Sequence, residues 1–93
     1  MTAVTYTDGK ERDVGLTPQA KIVTWISPAT MDANDTVVLP AITGRENIRV
    51  ISCWDNSTGD AVTATIATST RTVTIDASGG DTNNVYVLTV VYM

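Results

Sequence analysis

The clearest pattern along the chain is alternation of apolar and polar positions with a period of two. In "AVTATIATSTRTVTID", residues 61–76, Val62, Ala64 and Ile66 alternate with Thr63 and Thr65. After a polar tip at Ser69-Thr70, Val73 and Ile75 alternate with Thr72 and Thr74. Successive side chains of a strand point to opposite faces, so the stretch predicts a hairpin with one face inside and a Thr-lined face in water. "KIVTWIS" is a second strand, closed by Ser27-Pro28. "TVVLPAI" is a third, interrupted at Pro40, whose missing amide donor places it at an edge or at a bend. "NIRVISCWD" is longer: Ile48, Val50, Ser52 and Trp54 share one parity, Ile51 and Cys53 the other, with Arg49 and Asp55 at the ends. "MDAND", "NSTGD" and "ASGGDTNN" are rich in turn formers. About seven short strands with turns between them predict an all-β fold, a small jelly-roll-like β-sandwich.

The last segment, "NNVYVLTVVYM", breaks the alternation. Val85, Val87, Val91 and Met93 share one parity with Thr89, while Tyr86, Leu88, Val90 and Tyr92 occupy the other. A strand apolar on both faces belongs at the centre of a sheet, with one face in the sandwich and the other covered by a neighbouring subunit. The Tyr86, Leu88, Val90, Tyr92 face is assigned to that contact, since a Tyr hydroxyl can stay wet at an interface. The smoother valine set is assigned to the core.

Residues 1–20 are the least sheet-like. Val4 and Tyr6 alternate with Thr5 and Thr7, "DGKERD" turns, and "VGLTPQ" holds the breakers Gly15 and Pro18. The reading is a short strand and an extended N-terminal arm over 1–20, followed by a sandwich domain over 21–93. A frayed terminus is the plain alternative. As an arm it lies along a neighbour, with Tyr6, Val14 and Leu16 as contact residues.

Composition sharpens this. The chain of 93 residues has seventeen Thr, twelve Val and seven Ile, but no Phe and three Leu. β-Branched residues fit a pleated surface better than a helix. A core so lean in large side chains favours oligomerisation. The net charge of −4 and six scattered cations exclude the basic stripe that nucleic acid requires. No apolar run is long enough to span a membrane as a helix. The lone Cys53 forms no internal disulfide, and "MTAVTYTDGKERDVG" lacks the apolar core of a secretory signal, so synthesis in the cytoplasm is expected.

Catalytic chemistry finds no foothold. There is no His, the commonest general base and metal ligand. Cys53 sits mid-strand and reads as a small buried hydrophobe. The carboxylate pairs Asp55/Asp60 and Asp32/Asp35 lie in turn-rich segments. "DANDT" is faintly like a calcium loop through Asp32, Asn34 and Asp35, but lacks its central Gly and closing Glu. The expectation is no enzyme, no cofactor and no functional metal. Trp25 reads as core. Trp54, where a strand meets a loop, reads either as core or as a half-exposed anchor.

The stretch "TVVLPAITGRENIRVISCWDNSTGDAVTATIATSTRTVTIDASGGDTNNVYVLTVVYM", residues 36–93, resembles the small capsid decoration, or cement, proteins of tailed bacteriophages. The resemblance lies in an order of features: a "V-x-LP" strand, an "I-x-V-I" strand ending near Trp54, a "TAT" strand, a "TVTI" strand and an apolar C-terminal strand. It implies a jelly-roll-like trimer seated on the capsid exterior, with the major capsid protein as partner and the arm touching the shell or an adjacent copy. It transfers no functional residue. Two further classes share this pattern: another virion component (tail, fibre or head-completion protein), and a carbohydrate-binding module with Trp54 and Asp55 as its platform. Far-ultraviolet circular dichroism is expected to show strand and no helix beyond about two turns; a helix-dominated spectrum refutes the fold assignment.

Overall fold

The β-branched alternation folds into two stacked four-stranded sheets. The computed structural model describes residues 3–16, 19–29, 31–32, 35–56, 59, 61–76 and 85–93; the side chains of Asp13, Val14, Leu16 and Asp76 lie outside that description. The strands are β1 Ala3–Val4, β2 Lys10–Leu16, β3 Lys21–Ile26, β4 Thr36–Val38, β5 Ile48–Asp55, β6 Thr63–Ala67, β7 Thr72–Asp76 and β8 Tyr86–Tyr92. A single 3-10 turn, Tyr6–Asp8, joins β1 to β2. One sheet runs β1-β4-β7-β6 and the other β2-β3-β8-β5. Each of β1–β2, β3–β4, β5–β6 and β7–β8 is a leg that crosses from one sheet to the other, and the legs keep the same order in both layers. The last leg, β7–β8, sits between the second and the third, whereas in a jelly roll it lies between the first and the second, and β1 runs parallel to β4; the fold is a small β-sandwich whose winding departs from the jelly roll expected. β8 lies between β3 and β5, the central position expected of a strand apolar on both faces.

Register fixes which side chains share a face, because directly paired residues point the same way. Trp25, Leu88 and Cys53 form one inward row, and Val23, Val90 and Val50 the next. Val4, Val37, Val73 and Ile66 form the facing row of the other sheet. Met31, Leu39 and Ile48 close the core at its ends. The outer face of that second sheet carries Thr36, Thr74 and Thr65 in a row, with Thr72 and Thr63 beside them. This is the wet Thr face that the hairpin pattern predicts.

Two local devices depart from simple alternation. In β5 the register shifts between Val50 and Ser52, so Ile51 is an extra, bulged residue. A bulge moves all later side chains to the opposite face. Cys53 and Asp55 therefore turn inward, while Ser52 and Trp54 turn outward, which corrects the parity read from "NIRVISCWD". At the end of β3, Pro28 ends the ladder, and the buried Ser27 hydroxyl accepts the amide of Tyr86 at 2.8 Å, where a further backbone carbonyl would otherwise be needed. β4 stops at Val38, two residues before Pro40, and its β1 neighbour is only two residues long. Pro40 thus lies beyond the strand, which is interior to its sheet and not an edge.

The N-terminal segment is not an arm. β1 pairs in parallel with β4, and β2 pairs antiparallel with β3 over six positions, with a bulge at Val14. The charged run "KERD" hides this strand from a periodicity reading, yet it suits an edge, where charge deters further pairing. The segment is also tied to the core. Trp25 is 0% exposed, and its indole N–H donates to the carbonyl of Tyr6 at 2.8 Å. The Tyr6 ring stacks on it at 5.6 Å and 16°, worth about 1 kcal/mol beyond the burial. The radius of gyration, 12.5 Å, matches the ~12 Å of a compact chain this long.

Gly9 lets the chain pass over this pair. A Cβ there meets the carbonyl of Ile26 and lies 2.6 Å from Trp25 Nε1. Gly9→Ala is therefore expected to lower stability by about 1–3 kcal/mol in a urea titration. Gly15→Ala, with nothing within 4 Å of its added Cβ, is expected to shift it by less than about 0.5 kcal/mol.

Candidate functional site

The outer face of the β2-β3-β8-β5 sheet is unlike its Thr-lined counterpart. Register arranges it as three rows of four: Lys10, Ile26, Val87, Trp54; then Arg12, Thr24, Thr89, Ser52; then Gly15, Ile22, Val91, Arg49. Ile51 stands out from the bulge at 54% exposure, and Trp54 and Met93 are 37% and 40% exposed. Across the middle row the hydroxyls of Thr24 and Thr89 lie 3.1 Å apart and bond to each other. Lys10, Arg12 and Arg49, all exposed, flank the apolar rows, and the described outward positions of this sheet hold no carboxylate. Half the cations of an acidic chain frame one apolar surface.

This reverses the face assigned to contact. Tyr86, Leu88, Val90 and Tyr92 are at most 1% exposed and lie in the protein's own core. The cause is volume. Without Phe, the space between the sheets is filled by Trp25, Tyr86 and Tyr92, the largest fully buried side chains. The Tyr92 hydroxyl reaches out of the core to donate to the carbonyl of Pro40 at 3.1 Å. The valines, too small to fill that gap, face outward. Tyr6 is likewise engaged in the core, against Trp25. Val14 and Leu16 lie in β2, but their side chains are outside the described set. Of the candidates, Trp54 stands on the apolar outer face. Ile51, exposed, and Ile22, Ile26 and Val91, half-buried, were missed on this outer face, where Val87 is at the same level but only 6% exposed; the absence of Phe was the signal that could have found them.

The remaining chemistry-bearing groups are structural. Asp35 is buried, and its Oδ2 accepts the amide of Asp32 at 2.9 Å, closing the "MDAND" turn. Asn34 and Asp60 lie outside the described residues. Asp55 is 3% exposed on the inner side of β5, so it and Trp54 point to opposite faces and form no common platform. Among the described residues no group of three or more carboxylates or thiols is placed to hold a metal, and no helix is long and apolar enough to cross a membrane. At one end of the sandwich, the β4–β5 connection and the β6–β7 tip enclose a cleft that includes Arg45 and Arg71. Arg71 has φ of 57°, a left-handed conformation that costs a residue with a Cβ about 1–2 kcal/mol.

Compared with known proteins, the chain matches no family model, no curated protein and no solved structure. Its class rests on its own geometry: a small all-β sandwich whose two outer faces differ, one mainly threonine with Val38 exposed on it, the other mainly apolar.

Burial raises the Cys53 thiol from 9.0 to about 11. Burial chiefly, with Glu11 adding and Arg71 opposing, raises the Tyr92 hydroxyl from 10.0 to about 12. Both folded values exceed the unfolded ones, so the stability they contribute is full below pH 9 and is lost as pH rises from about 9 to 12. Urea midpoints are expected to fall across that window. Cys53→Ala should flatten its lower part and Tyr92→Phe its upper part; unchanged slopes in both variants refute the assignment.

Proposed function

We propose that the protein is a structural virion subunit, a capsid decoration protein that seats on the outer surface of a tailed-phage head as a homotrimer and stabilises it. The observation that carries this reading is the apolar outer face of β2-β3-β8-β5, framed by Lys10, Arg12 and Arg49. The ordered strand features of residues 36–93 and the small two-sheet β-sandwich support it. Size favours a scaffold over a free dimer. Four strands at ~4.8 Å and three rows at ~6.7 Å give a face of roughly 400 Å². Paired with an equal surface it buries roughly 800 Å², below the ~1,200 Å² of a stable two-body interface. Contacts this small hold well when many are made at once on a repeating lattice. The cations favour an acidic partner surface, and a ring of copies joins unlike patches, so a trimer need not set this face against itself.

Mixing purified protein with preassembled heads that lack it is the test. Saturable binding in many copies per head, with raised resistance of the heads to heat, is expected. A handful of copies points to a head-completion role, and no binding overturns the proposal. Ile51→Asp, at an exposed bulge, should leave a folded protein that loses the heads or sediments as a monomer. Leu88→Asp should unfold it, since an unpaired charge in this core costs several kcal/mol.

A further inference from the structure

The cleft at the end of the sandwich stands apart from the apolar face and from the proposed role. It has a volume of about 350 Å³ and is lined by Ala41 and Ile42, the hydroxyls of Thr43, Thr68 and Ser69, and by Arg45, Arg71 and Glu46. Two guanidiniums meet there on a chain with ten carboxylates and six cations.

Arg71 is held in place at a backbone position that works against it. The β6–β7 loop, 68–71, closes with the amide of Thr70 donating to the carbonyl of Ala67 at 3.3 Å, and Arg71 follows at φ 57°. Glycine or asparagine is the usual occupant of such a position. Among the described residues Arg71 is the only non-glycine residue with positive φ. Its side chain is anchored, with Nε donating to the carbonyl of Leu39 at 3.0 Å while the amide of Leu39 donates to its own carbonyl at 2.8 Å. Anchoring through Nε leaves the outer edge of the guanidinium, with its two parallel N–H groups, as the part that can meet a ligand. Arg45 is steadied in turn by Nη1 donating to the carbonyl of Tyr92 at 3.5 Å. Glu46 accepts the amide of Gly44 at 3.2 Å, which bends its carboxylate back over its own turn.

We infer that this cleft is a carboxylate-binding site, with Arg71 as the fixed fork and Arg45 as the second cation. A planar carboxylate fits the guanidinium fork in two parallel hydrogen bonds. The three hydroxyls supply donors beside it, and Ala41 and Ile42 supply an apolar wall for the body that carries it. That carboxylate comes from a free small acid or from an acidic side chain of a docked protein; the chemistry read at Arg71 is the same.

The test is a nuclear magnetic resonance titration that follows the Nε–Hε signals of Arg45 and Arg71, with acetate, glucuronate and doubly blocked glutamate as probes and doubly blocked glutamine as the neutral control. Saturable shifts with the carboxylates, at a dissociation constant on the order of 1 mM, and none with the control, are expected. Glucuronate as the tightest probe assigns the site to free hydroxylated acids, and blocked glutamate as the tightest assigns it to a protein side chain. Arg71→Gly removes the fork while giving the loop the residue its φ prefers, so the fold should persist and affinity should fall roughly tenfold. Equal shifts with the neutral control, or unchanged affinity in a folded Arg71→Gly, overturn the inference. Should that variant fail to fold, Arg45→Gln carries the same comparison, and unchanged affinity there also overturns it.

Discussion

The space between the two sheets has to be filled without a phenylalanine, and most of the molecule is arranged around how that is done. Trp25, Tyr86 and Tyr92 supply the bulk. Each brings a polar group into a dry interior, where an unmet hydrogen bond is costly. Trp25 meets that cost by donating to the carbonyl of Tyr6, which draws the N-terminal segment over the core and makes it part of the sheets. Tyr92 meets it at the carbonyl of Pro40, beyond the end of β4. Filling the core with tyrosines from one parity of β8 also sends Val87, Thr89 and Val91 to the other side.

The surface follows from that choice. A sandwich of this kind has two outer faces, and here they diverge chemically. One is lined mainly by threonines, with Val38 exposed among them. The other is built from isoleucine, valine and Trp54, with a self-bonded threonine pair at its centre and cations at its margins. The bulge at Ile51 matters as much as composition, because it turns Trp54 outward and Cys53 inward. The result is a contact face of modest area, suited to repeated weak attachment. The arginine cleft at the end of the sandwich is of a different kind: two anchored arginines stand in it beside hydroxyls and a short apolar wall, away from the apolar rows of the sheet.

The sequence by itself determined the class of fold, the centrality of β8 and the hairpin with its Thr face. These follow from alternation and from β-branched stiffness, which act between neighbours along the chain. It also determined that Trp25 and Cys53 would be buried. It did not determine which face of β8 would be inside, because both faces are apolar and only the volume available between two packed sheets separates tyrosine from valine. Nor did it reveal β2, whose charged residues look like a turn until β3 offers them a ladder. The phase of β5 was hidden as well, since apolar residues stand on both parities around Ile51 and either phase of Cys53 and Trp54 reads as a strand. The meeting of Arg45 and Arg71, 26 positions apart in the chain, was set by the winding of the legs. Alternation is local and legible; register, volume and the convergence of distant loops exist only once the sheets are stacked.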